Sequence, residues 1–183
     1  MNVSLFLWAS MNMHLIACWN LLALLLTATA ADLRCRRIPN WLVLPFLGAG
    51  VTISATVQGW NGLRQSLEGI ALATAVTGVL CWLGGMGLGD LKLCAAVGAW
   101  IGPAQLVTAL VVTGLAGGAL ALIWAAFHGV LRESLDGSSD LVAGFWAKGI
   151  QRHPSLILDN PSARTMPYAP AIAIGTMVSF LSN

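Results

Sequence analysis

Six apolar runs, separated by charges and by glycine or proline breaks, constrain the fold more than any other feature of the chain. They lie at about 11–31, 41–57, 67–83, 91–101, 104–127 and 168–181, and no Asp, Glu, Lys or Arg occurs before Asp32. A membrane-spanning helix needs roughly 20 predominantly apolar residues. The fourth run is short enough for a half-length or tilted helix. Of 183 residues, 57% are hydrophobic and 9% charged, with a mean hydropathy of +0.80. A soluble domain carries about 25% charged residues and has too little core to hide so much apolar surface. The expected fold is therefore all-α, a polytopic membrane protein with six transmembrane helices in one domain over 1–183. Trp41, Trp60, Trp82, Trp100 and Trp124 fall near the expected helix ends, where amphipathic rings favour the headgroup level.

Charge placement sets an expected orientation, because short cytoplasmic loops are enriched in Lys and Arg. Arg34, Arg36, Arg37, Lys92, Arg132, Lys148, Arg152 and Arg164 fall on one face of a six-span arrangement, and only Arg64 falls on the other. Both termini are then outside the cytoplasm, and Asp32 and Asp90 share the cytoplasmic end. The sequence Ala28-Thr29-Ala30 has the small residues of a signal-cleavage site, but no basic residue precedes the apolar run. The first run is therefore read as a retained helix. A net charge of +2 gives no nucleic-acid footprint. Cys18, Cys35, Cys81 and Cys94 are isolated and read as small core residues. His14, His128 and His153 have no partner spacing, and no metal site or cofactor is expected.

Ionisable groups at membrane depth are costly, about 2.5–3.5 kcal/mol on insertion scales, so they suggest function. Asp32 closes the first run and opens the turn Asp32-Leu33-Arg34-Cys35-Arg36-Arg37-Ile38-Pro39-Asn40-Trp41. Pro39 fixes its own φ and pushes Ile38 towards extended geometry; Asn40 is expected to cap the next helix. The plain alternative is a solvated aspartate at a helix end with arginines that orient the chain. Asp90 follows Gly84-Gly85-Met86-Gly87-Leu88-Gly89 and precedes Leu91-Lys92. Four glycines in six positions let the backbone leave helical geometry, which membrane depth tolerates only inside protein or beside water. Lys92 is either a stabiliser of an anionic site or a topology charge. Glu68 is read as a helix-start charge on the opposite face.

Gly87-Leu88-Gly89-Asp90 followed by Lys92 resembles the GxGDxK motif of prepilin peptidases, a branch of the GxGD intramembrane aspartyl proteases. Asp32 with Ile38, Pro39 and Asn40 is similar to that family's first aspartate motif. Met166-Pro167-Tyr168-Ala169-Pro170 through Gly175 resembles its last-helix signature, with Ala169 where glycine is more usual. The resemblance implies a GxGD-type intramembrane protease fold and cleavage of type IV prepilin or pseudopilin precursors at the cytoplasmic face of the bacterial inner membrane. It implies Asp32 and Asp90 as the catalytic pair, with Ile38, Pro39, Asn40, Gly87, Gly89, Lys92, Pro167, Tyr168 and Pro170 shaping the site. Larger members add a cysteine-bearing N-terminal region that methylates the product. No such region is evident here, so the resemblance is to the small peptidase-only type of Tad and Flp pilus systems.

Two carboxylates held close tend to share one proton and titrate as a unit. One then activates water while its protonated partner bonds the scissile carbonyl; which aspartate is the base is not legible. Pro167, Pro170 and Gly175 imply an irregular entrance to the last helix, where small residues admit another backbone. The 129–165 connection is read as cytoplasmic. Within it, residues 138–150 form either a surface amphipathic helix or a loop. Two other classes compete: a small proton-coupled transporter, against which the lack of an inverted repeat counts, and a non-catalytic assembly component.

Overall fold

The computed structural model describes residues 3–35, 38–83, 86–127 and 167–182. The expectations for Arg36, Arg37, Gly84, Gly85, Met166 and the whole 129–165 connection, including the helix at 138–150, lie outside those residues. Four helices follow in chain order: α1 (Val3–Cys35), α2 (Asn40–Trp82), α3 (Leu88–Phe127) and α4 (Ala169–Leu181), with no strand among the described residues.

At 43 residues α2 is roughly 64 Å of helix, about twice the thickness of a bilayer's hydrocarbon core. It does not run straight. Gly59 has φ +62° and ψ −139°, a left-handed backbone that a Cβ disfavours, and it divides α2 into halves at 40–58 and 60–82. Gly102, at φ +72° and followed by Pro103, divides the 40-residue α3 in the same way at 88–101 and 103–127. By length and composition, α2 and the Leu88–Ile123 stretch of α3 are apolar enough to cross a membrane. The described chain thus contains six helical pieces, close to the six expected runs.

The boundary between the second and third runs differs from expectation. Residues 60–66 are helical, and Gly59 alone makes the turn. Two of the polar residues there find partners inside the fold. The Ser66 hydroxyl donates to the Ala99 carbonyl at 2.7 Å, and Arg64 bonds Glu68 one turn on at 2.7 Å. Glu68 therefore lies inside a helix rather than starting one. Trp41, Trp60 and Trp82 are exposed, as an interfacial ring is expected to be, but Trp100 is buried and donates from Nε1 to the Phe46 carbonyl at 2.9 Å. Cys94 is buried, whereas Cys35 is exposed and is not a core residue.

The first half of α3 is the hub, with every residue from Leu93 to Trp100 buried. A helix apolar on all sides belongs at the centre of a bundle. The first half of α2 runs parallel to it, with Asn40 opposite Lys92 and Gly50 against Ala99 and Trp100. The second half of α2 runs antiparallel, placing Ser66 at Ala99 and Cys81 at Gly87. Without a hydrophobic drive between helices in lipid, close packing of small residues supplies much of their association. Gly69 and Gly98 show it: a Cβ on Gly98 would lie 2.6 Å from the Gly69 carbonyl oxygen. The second half of α3 returns antiparallel to α4, with Gly117 at the Tyr168 ring, Gly175 at Thr113, and Ser179 donating to the Gln105 carbonyl at 2.7 Å. α1 presents Ala17, Leu21, Leu24, Leu25, Ala28 and Asp32 to the core, the three- and four-residue spacing of one helix face.

Candidate active site

Asp32 completes the buried stripe of α1, so the helix that packs Leu21, Leu25 and Ala28 inward also carries a carboxylate into the protein. At 7% exposure it is the one buried charged residue among those described. Its Oδ2 accepts the backbone N–H of Ala169, the first residue of α4, at 3.0 Å. A helix start has unpaired amides and partial positive charge, so a carboxylate there is stabilised. This contact joins residues 137 positions apart.

Asp90 sits in the first turn of α3, at the head of the central helix. The glycines before it permit the approach of the neighbouring turn: a Cβ on Gly89 would lie 3.3 Å from that of Ile38. The Gly87 carbonyl accepts the Leu91 amide at 3.3 Å and the Cys81 thiol at 3.5 Å, which ties the turn to the end of α2. Asp32, Ile38, Asn40, Gly87, Leu88, Gly89, Asp90 and Lys92 line one cavity of about 340 Å³.

Asn40 differs from expectation. Pro39, in extended geometry, is the N-cap of α2 with no side-chain cap bond, and Asn40 is the first helical residue. Its Oδ1 instead accepts from Lys92 Nζ at 2.9 Å. The carboxamide is drawn away from its own helix end because a cation from the adjacent parallel helix reaches it, and a bond to a charged donor is the stronger one. Lys92 is thereby placed at the cavity wall.

The cavity gathers seven of the eleven expected site residues. Pro39, Pro167, Tyr168 and Pro170 do not line it. Pro39 turns the chain into α2, and Pro170 occupies the first turn of α4, where a missing N–H costs little. Tyr168 packs its ring on Gly117, fixing where α4 starts and hence where the Ala169 amide points. Leu88 in the wall, the Ala169 N–H and the Cys81 thiol were not anticipated. Leu88 lies within the GxGD motif itself. A backbone donor and a thiol on another helix leave no sequence signal.

An all-helical bundle in which a GxGD turn and a second aspartate face one cavity has the makings of an acid–base site. Residues 19–122 match the type IV leader peptidase family, and the chain belongs to that family. Among curated relatives, a prepilin leader peptidase/N-methyltransferase of Burkholderia pseudomallei (strain 1026b) is 33% identical over 141 residues, 70% of this chain and 44% of its own. A protein of the same name from Bacillus subtilis (strain 168) is 28% identical over 163 residues, 87% of this chain and 53% of its own. Another from Escherichia coli (strain K12) is 34% identical over 108 residues, 54% of this chain and 46% of its own. The chain spans about half the length of these relatives. No solved structure matches it.

Proposed function

We propose that the chain is a membrane-embedded aspartyl endopeptidase that removes the leader of type IV prepilin-like precursors at the cytoplasmic face of the bacterial inner membrane, with Asp32 and Asp90 as the catalytic pair. The observation that carries this reading is the shared cavity: Asp32 and Asp90, 58 positions apart in sequence, line the same 340 Å³ space beside the GxGD turn. Family membership supplies the reaction class. The six helical pieces are taken as six transmembrane crossings, turned at Gly59 and Gly102 on the outer face, in a single peptidase domain.

In this mechanism one carboxylate is ionised and its neighbour protonated when the precursor enters. The ionised group takes a proton from water as the water oxygen attacks the scissile carbonyl, and the protonated group hydrogen-bonds the carbonyl oxygen. Collapse of the tetrahedral intermediate breaks the C–N bond, and a proton passes to the leaving amine. Lys92, held by Asn40, keeps a positive charge at the wall and offsets the negative charge of the pair. The proposal is confined to peptide-bond cleavage and does not extend to the methyl transfer in the relatives' names.

Co-expression with a pilin precursor tests it, with leader removal scored by gel shift for wild type, Asp32→Asn and Asp90→Asn. Cleavage by wild type and by neither variant is the expected result. Cleavage by both variants removes the paired mechanism. A wild type that cleaves no precursor, but moves protons across vesicles, replaces the peptidase with a transporter.

A further inference from the structure

The end of the bundle remote from Asp32 and Asp90 holds a second cavity, of about 480 Å³, larger than the first. It lies where α3 bends at Gly102 and Pro103, between the second half of α2 and the end of α4. In a chain this apolar its wall is unusually polar: Gln65, Glu68, Gln105, Thr108, Ser179 and Ser182 all face it. Two of these are engaged locally, since Ser179 donates to the Gln105 carbonyl and Ser182 to the Ser179 carbonyl. The side chains of Gln65, Gln105 and Thr108 have no hydrogen-bond partner among the described residues. Gln65 and Thr108 are exposed and Gln105 is half-buried, so their donors and acceptors stand open to whatever occupies the recess.

The charge pattern narrows the ligand. Glu68 gives the wall its one formal charge, and α4 ends beside it, where the last carbonyls of a helix carry partial negative charge. The amide and hydroxyl oxygens add acceptors. Such a wall suits a compact cation with several N–H donors. Arg64, outside the lining itself, donates to Glu68 through Nε at 2.7 Å, which leaves its other nitrogens to face an anion. Exposed Trp60, beside the Gly59 turn, puts this end at headgroup depth in the reading of the chain as membrane-embedded, on which the inference rests.

We infer that this recess binds a phospholipid whose headgroup ends in a primary ammonium, with the ammonium among Glu68, Gln65 and Gln105 and the phosphate towards Arg64. A quaternary ammonium lacks the N–H donors, and a glycerol headgroup lacks the cation, so the recess discriminates between headgroups of similar size.

Native mass spectrometry of the full chain, released from bilayers with equal parts of phosphatidylethanolamine, phosphatidylcholine and phosphatidylglycerol, reads this directly. Wild type is expected to retain phosphatidylethanolamine about ten-fold over either competitor, the scale of one charge-assisted hydrogen bond. Glu68→Gln is expected to bring the three lipids near parity. Gln105→Leu, which keeps the charge, is expected to lose part of the preference. Excess soluble phosphoethanolamine is expected not to displace the lipid. Equal retention by wild type overturns the inference, as does a preference that Glu68→Gln leaves intact or that the soluble headgroup abolishes. If Glu68→Gln instead raises KM for the precursor with lipid retention unchanged, the recess is a substrate contact and the lipid assignment is wrong. The aspartate variants leave this readout untouched, so it fails or holds separately from the peptidase reading.

Discussion

The two ends of the bundle are built from the same parts, namely glycine-relieved turns, helix termini and a few polar side chains, yet they hold charge in opposite ways. At one end Asp32 is buried and bonded to an amide 137 positions away, and Lys92 reaches across to Asn40, 52 positions away. At the other, Glu68 is half-open to its surroundings and bonded to Arg64 only four positions away. A local, exposed pair contributes little to stability and forms in any isolated helix. A charge enclosed by contacts between distant segments exists only when the whole fold does. The difference teaches that a buried ionisable group such as Asp32 is held by tertiary contacts, whereas an exposed one such as Glu68 needs only its own helix.

The largest expected effect breaks the contrast outright. Asp32→Asn or Asp90→Asn is expected to lower leader cleavage by about 10²–10⁴-fold, the range of general acid–base contributions, while Glu68→Gln leaves the cleavage rate unchanged. Equal losses in all three, measured in one detergent assay, would erase the distinction between the ends. The pH dependence sharpens it. Under the proposed mechanism cleavage needs one carboxylate protonated and one ionised, so the rate is expected to fall on the acid side as both gain protons and on the alkaline side as both lose them. A rate that rises steadily across the whole range, with no alkaline limb, speaks against the shared proton.

Next comes the packing that holds the ends apart. Gly69→Ala sets a methyl group against the Gly98 backbone carbonyl, and overpacking of this kind costs on the order of 1–3 kcal/mol. Thermal unfolding in detergent should show a lowered midpoint together with lost cleavage; an unchanged midpoint means the two helices do not approach so closely. Lys92→Met is expected to slow cleavage about ten-fold at unchanged unfolding temperature, because one charge-assisted hydrogen bond and the compensating charge at the wall are lost. A rate equal to wild type would make Lys92 a topology charge only. The smallest effect on cleavage belongs to the far end: Gly59→Ala meets no neighbour but must adopt φ +62° and ψ −139°, a region nearly confined to glycine, at about 1–3 kcal/mol in stability with cleavage intact. A larger loss than that of Gly69→Ala would show that the turn, not the packing, is the weak point.

Much of the fold is legible in the residues. The lengths of the apolar runs, the break at Pro39 and the glycines around 84–89 lead to four of the helical pieces within about three residues, because bilayer-length helices are set by local hydropathy, whereas α1 starts at Val3 rather than near residue 11 and the second half of α2 at 60 rather than 67. The error at 60–66 has a physical source: Asn61, Arg64, Gln65 and Ser66 look like a loop until Ser66 finds the Ala99 carbonyl and Gly62 packs on Ser54. Trp100 misleads in the same way, since a ring that suits the headgroup level is equally content inside once its N–H meets the Phe46 carbonyl.

The sequence by itself determined the class of the chain, its helical pieces and its two motif aspartates, because hydropathy and a short glycine-rich signature act over neighbouring residues. Only the tertiary structure decided that Asp32 and Asp90 face one cavity, that the Ala169 amide holds Asp32, that Asn40 receives Lys92 rather than capping its helix, and that a polar recess forms at the opposite end. Each joins residues from separate helices, and such contacts follow from packing between helices, which no local pattern encodes.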